Sequence, residues 1–579
     1  MEQTRLSVSQ GRRFVICITI ALTATSCARS VGHDQLTAAA GRIPSTWRFQ
    51  TTPVLATAPH AMIASNSVLA SAAGVEILRE GGNAVDAAVA TGFALAVTLP
   101  EAGNIGGGGY MVIRMADGRV AALDYREVAP LAATRNMYVG SDGKLTDESV
   151  TGYRASGVPG AVAGLAEALK SYGTMPLRRV MEPAIRLATV GFRVDSALAR
   201  SLAGEQKRIG RFAGADRFYP GGAPLAVGAT LVQPELARTL NLIADQGPDA
   251  FYHGPIASAI VDEEQRGHGL ITEADLAAYR ARWREPIRGT YRGYSLLTMP
   301  PSSSGGVTII ETLNILETYP ALAPYGSAAY AHQLGDALQR AFIDRNNRLG
   351  DPEFVQNPID QLTSKAYART VRGMIHDAHA TPTPREGTET THYSVVDASG
   401  NAVATTTTLN ALYGSGVYVR GAGFFLNDEM DDFAAQPGQP NMFGLVQGEQ
   451  NAIVPGKRML SAMSPTIVTD PTGRLFLVVG ARGGPRIISS TLEVIVNAID
   501  YHMPLADAIR APRVHHQALP DTLRVDNGGF APAMLDSLRA MGYAVAQGGA
   551  SGTCTAVMRG PDGWVGAVDP RATGGAVGY

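Results

Sequence analysis

The sequence predicts a layered body of mixed helix and strand, α/β or α+β. Three observations carry this. Small-residue helical periodicity fills residues 64–100, strands and turns recur among helices after 390, and the share of charged residues is low. The 579 residues are 45% hydrophobic and 17% charged. Typical domains have roughly 25% charged residues, so much of the chain is expected to be buried. The length allows a large core and more than one domain. Formal net charge is −2. A nearly neutral chain offers no cationic field for phosphates, so nucleic acid is excluded as a partner.

From the N-terminus, Arg12 and Arg13 precede an apolar run over 14–24, followed by small residues. The run falls short of the ~20 residues that a membrane helix needs and reads as an export signal over 1–28. Cys27 follows Ala24-Thr25-Ser26. Lipidation of Cys27 and simple cleavage near Ala28 both fit that spacing. The expected location is therefore the periplasm or cell surface, with membrane contact only through a lipid on Cys27. The cysteines are Cys17, Cys27 and Cys554. A mature chain keeps at most Cys554 unmodified, has no internal disulfide, and has no CxxC. Cys554 reads as a small buried side chain rather than a nucleophile. No HExxH occurs, and His376 and His379 lack carboxylate company, so neither metal nor cofactor is expected.

Within 64–100, Val68, Ala72, Val75 and Leu78 recur at helical spacing and Gly81-Gly82 ends the run. Asn83 and Asp86 then form a capping-box pattern for a second helix that stops before Pro100. Asn104-Ile105 and four glycines follow, then a hairpin of strands over 110–115 and 120–125 around Asp117-Gly118. Residues 152–380 read as mainly helical. Residues 381–389 contain no apolar residue except proline and read as an exposed loop. Strands are expected over 390–397, 402–408 and 475–479, a helix over 487–499, and strand and turn character over 555–569.

The loop that runs straight into a strand at Thr390 has a chemical reading. A threonine hydroxyl needs a base, and a threonine made N-terminal by cleavage carries its own α-amine. That amine titrates near 7.7–8.0 in general, so it is partly neutral near neutral pH. If Ser399-Gly400 is a two-residue turn, Thr390 lies opposite Leu409, beside Thr408 and Asn410. Taken alone, threonine-rich strands are usually only strands.

The motifs around this feature resemble those of γ-glutamyltransferases (glutathione hydrolases) of bacterial type. They run in order: residues 80–88, the four-glycine run, Asp124-Tyr125-Arg126-Glu127, 390–397, Thr408-Leu409-Asn410, 426–433, Met463-Ser464-Pro465-Thr466 and Asp569-Pro570-Arg571. The resemblance covers nearly everything after Ala58. It implies an N-terminal-nucleophile hydrolase fold, two stacked antiparallel sheets between helical layers in an αββα sandwich. It also implies a precursor cut into a large subunit, 29–389, and a small catalytic subunit, 390–579, that stay together.

Residue by residue, the resemblance makes Thr390 the nucleophile that forms a γ-glutamyl-enzyme and Thr408 the group that orients its hydroxyl. Gly483 and Gly484 match the oxyanion donors. The local pattern agrees, since they lie between an apolar strand and a helix led by Pro485. Arg126 and Ser461 match the groups that bind the donor's α-carboxylate. Asn410, Glu429 and Asp432 match those around its α-ammonium. Water, an amino acid or a peptide would accept the acyl group.

Two positions depart from the family pattern. Ala462 stands where a second serine is common, and losing one neutral hydrogen bond costs about 1 kcal/mol. Phe443 replaces a common tyrosine in a loop over the pocket, here 434–447, and lacks the phenolic latch. The alternative reading is an acylase of the same superfamily acting on glutaryl or cephalosporin side chains.

Overall fold

Two seven-stranded sheets stacked face to face form the centre of the molecule. The computed structural model describes residues 43–375 and 390–579, except 46, 51–53 and 520. The export signal, Cys17, Cys27, His376, His379 and the polar loop 381–389 lie outside the described residues. In chain order the strands begin with β1 (Val54–Ala58), β2 (Met62–Ser65), β3 (Gly108–Arg114) and β4 (Val120–Tyr125). Next come β5 (Arg282–Arg284), β6 (Ile287–Tyr291), β7 (Tyr294–Thr298), β8 (Thr391–Val396) and β9 (Ala402–Thr408). The last are β10 (Thr466–Thr469), β11 (Leu475–Arg482), β12 (Thr553–Gly560), β13 (Gly563–Val568) and β14 (Gly575–Gly578). One sheet runs β14-β2-β8-β9-β3-β4-β5 and the other β1-β13-β12-β11-β10-β7-β6. Every pairing in both is antiparallel. Each sheet mixes strands from before residue 375 with strands from after residue 390, so neither part of the chain completes a sheet alone.

Helices α1 (Val68–Arg79), α2 (Ala84–Thr98) and α3 (Ala161–Tyr172) cover the first sheet. On the second lie α4 (Gly305–Leu316) and α6 (Arg486–Ile499), with α5 (Ala328–Arg348) packed on α4. This is the αββα layering. The period-two alternation of strands assigns the faces. Tyr393, Val395 and Val403 join the core under α1 and α2. Val396, Ala402 and Ala404 join the core shared with Leu477 and Val479 between the sheets. Each fully buried valine or leucine among them contributes roughly 1.5–3 kcal/mol.

The capping box read at Asn83 is present, with Asp86 returning a bond to the Asn83 N–H. Every residue of α2 is buried. The Asp397 carboxylate, at the end of β8, accepts the Ala84 N–H at 2.9 Å and so ties this helix end to the next hairpin. The glycine run has a packing reason. A Cβ on Gly107 would stand 2.1 Å from the Thr408 carbonyl oxygen, and one on Gly109 2.4 Å from that of Thr406. Only glycine lets this segment lie so close against β9.

The turn after β8 differs from expectation. Asp397 N–H bonds Asn401 O, Gly400 N–H bonds Asp397 O, and Gly400 has φ of 86°. The loop therefore holds three residues, a turn followed by a left-handed glycine. Register shifts by one: Thr391 pairs with Thr407 and Val396 with Ala402. Thr390 thus continues the ladder opposite Thr408, not Leu409. The middle of the chain also holds a hairpin, β6 and β7, that its helical pattern hid. Its turn uses Arg292 at φ 50° and Gly293 at φ 85°, where the common signal is Asn-Gly.

Candidate active site

Thr390 sits at the N-terminal edge of β8 and is 5% exposed. The next residue is anchored, because Thr391 Oγ1 donates to Asn66 Oδ1 at 2.9 Å. Thr408 closes β9 opposite. Its hydroxyl donates to Thr390 Oγ1 at 3.4 Å and accepts the Asn410 N–H at 2.7 Å. Asn104 Nδ2 donates to the Thr408 carbonyl at 2.7 Å, while Asn104 Oδ1 accepts the Gly107 N–H. Backbone and side chain of Thr408 are therefore both held. Asn410 has φ of 78° and donates through Nδ2 to the Asp428 carbonyl at 3.1 Å.

A small cavity opens beside these threonines. Thr390, Thr408, Asn410, Glu429, Asp432, Arg126, Ser461 and Gly484 all line it. Gly483, one residue before Gly484, is outside the lining. Gly483 and Gly484 have φ of 131° and 56°, and their carbonyls accept the N–H groups of Arg486 and Ile487 as α6 starts. The glycine pair thus sits at the N-terminal end of a helix, where backbone N–H groups gather. A Cβ on Gly484 would meet the Phe443 ring at 2.7 Å, which places Phe443 against the glycine turn. Ala462 and Phe443 both line the cavity.

Arg126 is buried and bonds the carboxylates of Glu429 and Asp432, with Glu127 at 3.6 Å. Its Nε donates to the Met459 carbonyl. Three buried carboxylates around one guanidinium leave an excess of acid. Burial raises all three above the usual carboxylate range against the pull of Arg126, and Glu127 is pushed up to about 7. A cationic group entering the cavity would restore the balance. Asp124, in the same motif, pairs with Arg458 at 3.2 Å and accepts the Arg126 N–H, which fixes the backbone behind the guanidinium.

Ser461 Oγ accepts the Met463 N–H, and the Ser461 carbonyl accepts from Ser304 N and Oγ. Sequence reasoning missed Arg345, a buried side chain on α5 that also lines the cavity. No local pattern marked it: it is one of several arginines on a long helix. His392 has the opposite status. It lies two residues from Thr390, but its nitrogens meet Thr406 Oγ1 at 2.8 Å and Ser394 Oγ at 3.2 Å. Burial between the sheets pushes its pKa down to about 3, so it stays neutral. Cys554 is also buried; it lies 3.0 Å from Arg513 Nη1, and burial raises its thiol to about 11.

Two antiparallel sheets between helical layers, with a threonine at the edge of an inner strand facing a cavity, form the architecture of N-terminal-nucleophile hydrolases. Residues 70–579 match the family model described as Gamma-glutamyltranspeptidase, and the chain belongs to that family. It is 49% identical over 529 residues to the glutathione hydrolase proenzyme of Escherichia coli (strain K12), covering 89% of this chain and 91% of that one. It is 42% identical over 473 residues to the acylase ACY 1 proenzyme of Pseudomonas sp. (strain V22), covering 79% and 83%. Among solved structures, the cephalosporin acylase from Bacillus halodurans superposes with a TM-score of 0.82 at 28% identity, covering 93% of this chain and 99% of that one.

Proposed function

We propose that the chain is a self-cleaving γ-glutamyltransferase and glutathione hydrolase. It cleaves before Thr390 into a large subunit, 29–389, and a small subunit, 390–579. The new α-amine of Thr390 takes the hydroxyl proton, and the oxygen attacks the γ-amide carbon of a glutathione-like donor. Thr408 orients that oxygen. The N–H groups of Gly483 and Gly484 stabilise the oxyanion, a contribution that can reach ~3 kcal/mol for each donor. The leaving amine takes the proton, and water, an amino acid or a peptide then accepts the γ-glutamyl group. Arg126 and Ser461 receive the α-carboxylate; Asn410, Glu429 and Asp432 receive the α-ammonium.

The observation that carries this is one cavity lined by both a threonine pair and an acid-rich guanidinium cluster. A zwitterionic glutamyl end needs both signs of charge close to the nucleophile. Export to the periplasm or cell surface belongs to the same proposal and rests on the pattern over 1–28. Among the described residues no helix is long and apolar enough to cross a membrane.

The test is N-terminal sequencing of the fragments, with Thr390→Ala as control. A small fragment beginning at Thr390, absent from the variant, is expected. A fragment beginning elsewhere would overturn the assignment. Ala462 in the cavity wall favours a second reading, an acylase for glutaryl-type side chains, which lack the α-amino group. Glu429 and Asp432 argue against it, since they would face no ammonium. Faster release from glutaryl anilide than from γ-glutamyl anilide would reverse the choice.

A further inference from the structure

Arg345 is a buried cation to which no carboxylate is bonded among the described residues. Its Nε donates to Ser304 Oγ at 3.0 Å, and its Nη1 donates to Asn346 Oδ1 at 3.0 Å and Gln447 Oε1 at 2.8 Å. All three acceptors are neutral. Among the described residues Nη2 has no hydrogen-bond partner, although Arg345 is 1% exposed and borders the cavity. Burial lowers the guanidinium pKa to about 10, and Asp432 is the anion that acts on it most. A buried donor left unpaired costs free energy unless a ligand completes it.

Arg126 is in the opposite condition. Nη1 bonds Glu429, Nη2 bonds Asp432, and Nε is directed at the Met459 carbonyl. A carboxylate arriving at Arg126 must compete with carboxylates already there. Arg345 stands next to that point. Ser304 links it to Ser461, because Ser304 Oγ accepts from Arg345 and donates to the Ser461 carbonyl. Gln447 links it to Asp432, accepting from Arg345 and donating through Nε2 to the Asp432 carbonyl at 3.1 Å. Ala462, which offers no hydroxyl, lines the same cavity.

We infer that Arg345 is a second carboxylate-binding residue of this cavity, its free Nη2 taking one oxygen of the α-carboxylate on the γ-glutamyl donor. The inference rests on the γ-glutamyl reading. Arg126 then keeps Glu429 and Asp432 in place for the ammonium and shares the other oxygen. A guanidinium suits this role because it stays charged even when burial lowers its pKa.

Truncated substrates provide the test. γ-Glutamyl anilide carries both α-groups, 4-aminobutyryl anilide lacks the carboxylate, and glutaryl anilide lacks the ammonium. Arg345→Met should lower kcat/KM for γ-glutamyl anilide by roughly tenfold to a hundredfold, the range for a hydrogen bond to a charged group. On 4-aminobutyryl anilide the same variant should change kcat/KM by less than about threefold. Arg345→Lys, which keeps the charge and loses the fork, should fall between. Equal losses on both substrates would overturn the inference, since a merely structural arginine harms both alike.

If Arg345→Met does not mature, a crystal of the wild type with L-glutamate decides. A carboxylate oxygen about 3 Å from Arg345 Nη2 supports the inference. A carboxylate held by Arg126 alone, out of reach of Nη2, overturns it. A wild type that releases glutaryl anilide and not γ-glutamyl anilide would overturn the γ-glutamyl reading itself, and this is seen before any variant is made.

Discussion

Replacing Thr408 by valine removes one hydroxyl and keeps the shape of the side chain. Two bonds meet at that oxygen: the accepted Asn410 N–H at 2.7 Å and the donated bond to Thr390 Oγ1 at 3.4 Å. They predict separate effects. The Asn410 N–H is buried, so its loss of an acceptor should cost about 1–3 kcal/mol of stability. For a chain of this length that moves the melting midpoint by only a few degrees, roughly. The Thr390 contact is long for an O–H···O bond, so it adds little to ground-state stability. Its weight falls on catalysis, where misorienting the nucleophile by about an ångström can cost a hundredfold. The expected result for Thr408→Val is a slightly lowered midpoint, slow appearance of the small fragment, and kcat on γ-glutamyl anilide down by roughly ten- to a hundredfold. Thr408→Ser keeps the hydroxyl and should stay within about threefold of wild type. Calorimetry, a denaturing-gel time course and steady-state rates read the three effects. A valine variant with wild-type kcat would refute the orienting role, whatever its midpoint.

Gly484→Ala forces a left-handed residue at φ 56° and drives a Cβ to 2.7 Å from the Phe443 ring. It should displace the oxyanion N–H and lower kcat by roughly a hundredfold or more, with KM nearly unchanged, as steady-state rates will show. Gly400→Ala has φ of 86° with open space around the new Cβ, so only backbone strain of about 1–2 kcal/mol is expected. Its melting midpoint should fall while kcat holds, and a lowered kcat would mean that the turn reaches the nucleophile. Burial raises Glu264 to about 8, and its Oε1 has no hydrogen-bond partner among the described residues. A raised carboxyl pKa means that folding holds a proton the unfolded chain releases, so this contribution is present at low pH and is lost as pH rises from about 4.5 to about 8. Between pH 5 and 9 the wild-type midpoint should therefore fall relative to Glu264→Gln, and parallel curves would contradict the burial argument.

The parts of the fold that were legible in the sequence are those whose signals are local. The helix pair over 68–98 was readable because Asn83 and Asp86 satisfy orphan N–H groups within one turn, and glycines end the first helix. β8 and β9 were readable from their β-branched residues on either side of Ser399-Gly400. The register between them was not, because Ser399-Gly400 reads equally well as two turn residues or as the last two of three. The hairpin of β6 and β7 was hidden by Arg292 in a position that usually carries asparagine or glycine. In the site, family order brought Arg126, Glu429 and Asp432 to attention. Nothing local could bring Arg345, whose significance depends on Ser304, Gln447 and the cavity wall, all distant in sequence.

The corrected register also narrows the chemistry at Thr390. A slip of one residue turns every side chain to the other face, so placing Thr390 opposite Thr408 decides which groups meet it. On that face the next side chain of β8 is His392, the usual choice for a base. It is buried between sheets, neutral down to about pH 3, and bonded at both nitrogens to Thr406 and Ser394. A Cβ on Gly480 would lie 2.4 Å from its ring, so the opposite sheet leaves it no room to swing toward Thr390. The titratable groups that line the cavity are Arg126, Arg345, Glu429 and Asp432. Both acids are held by Arg126, and the two arginines are cations. In the proposed mechanism the base is instead the α-amine that Thr390 acquires when the bond before it is cut, so turnover is expected only after cleavage, and no substitution elsewhere in the cavity should restore activity to an uncleaved chain.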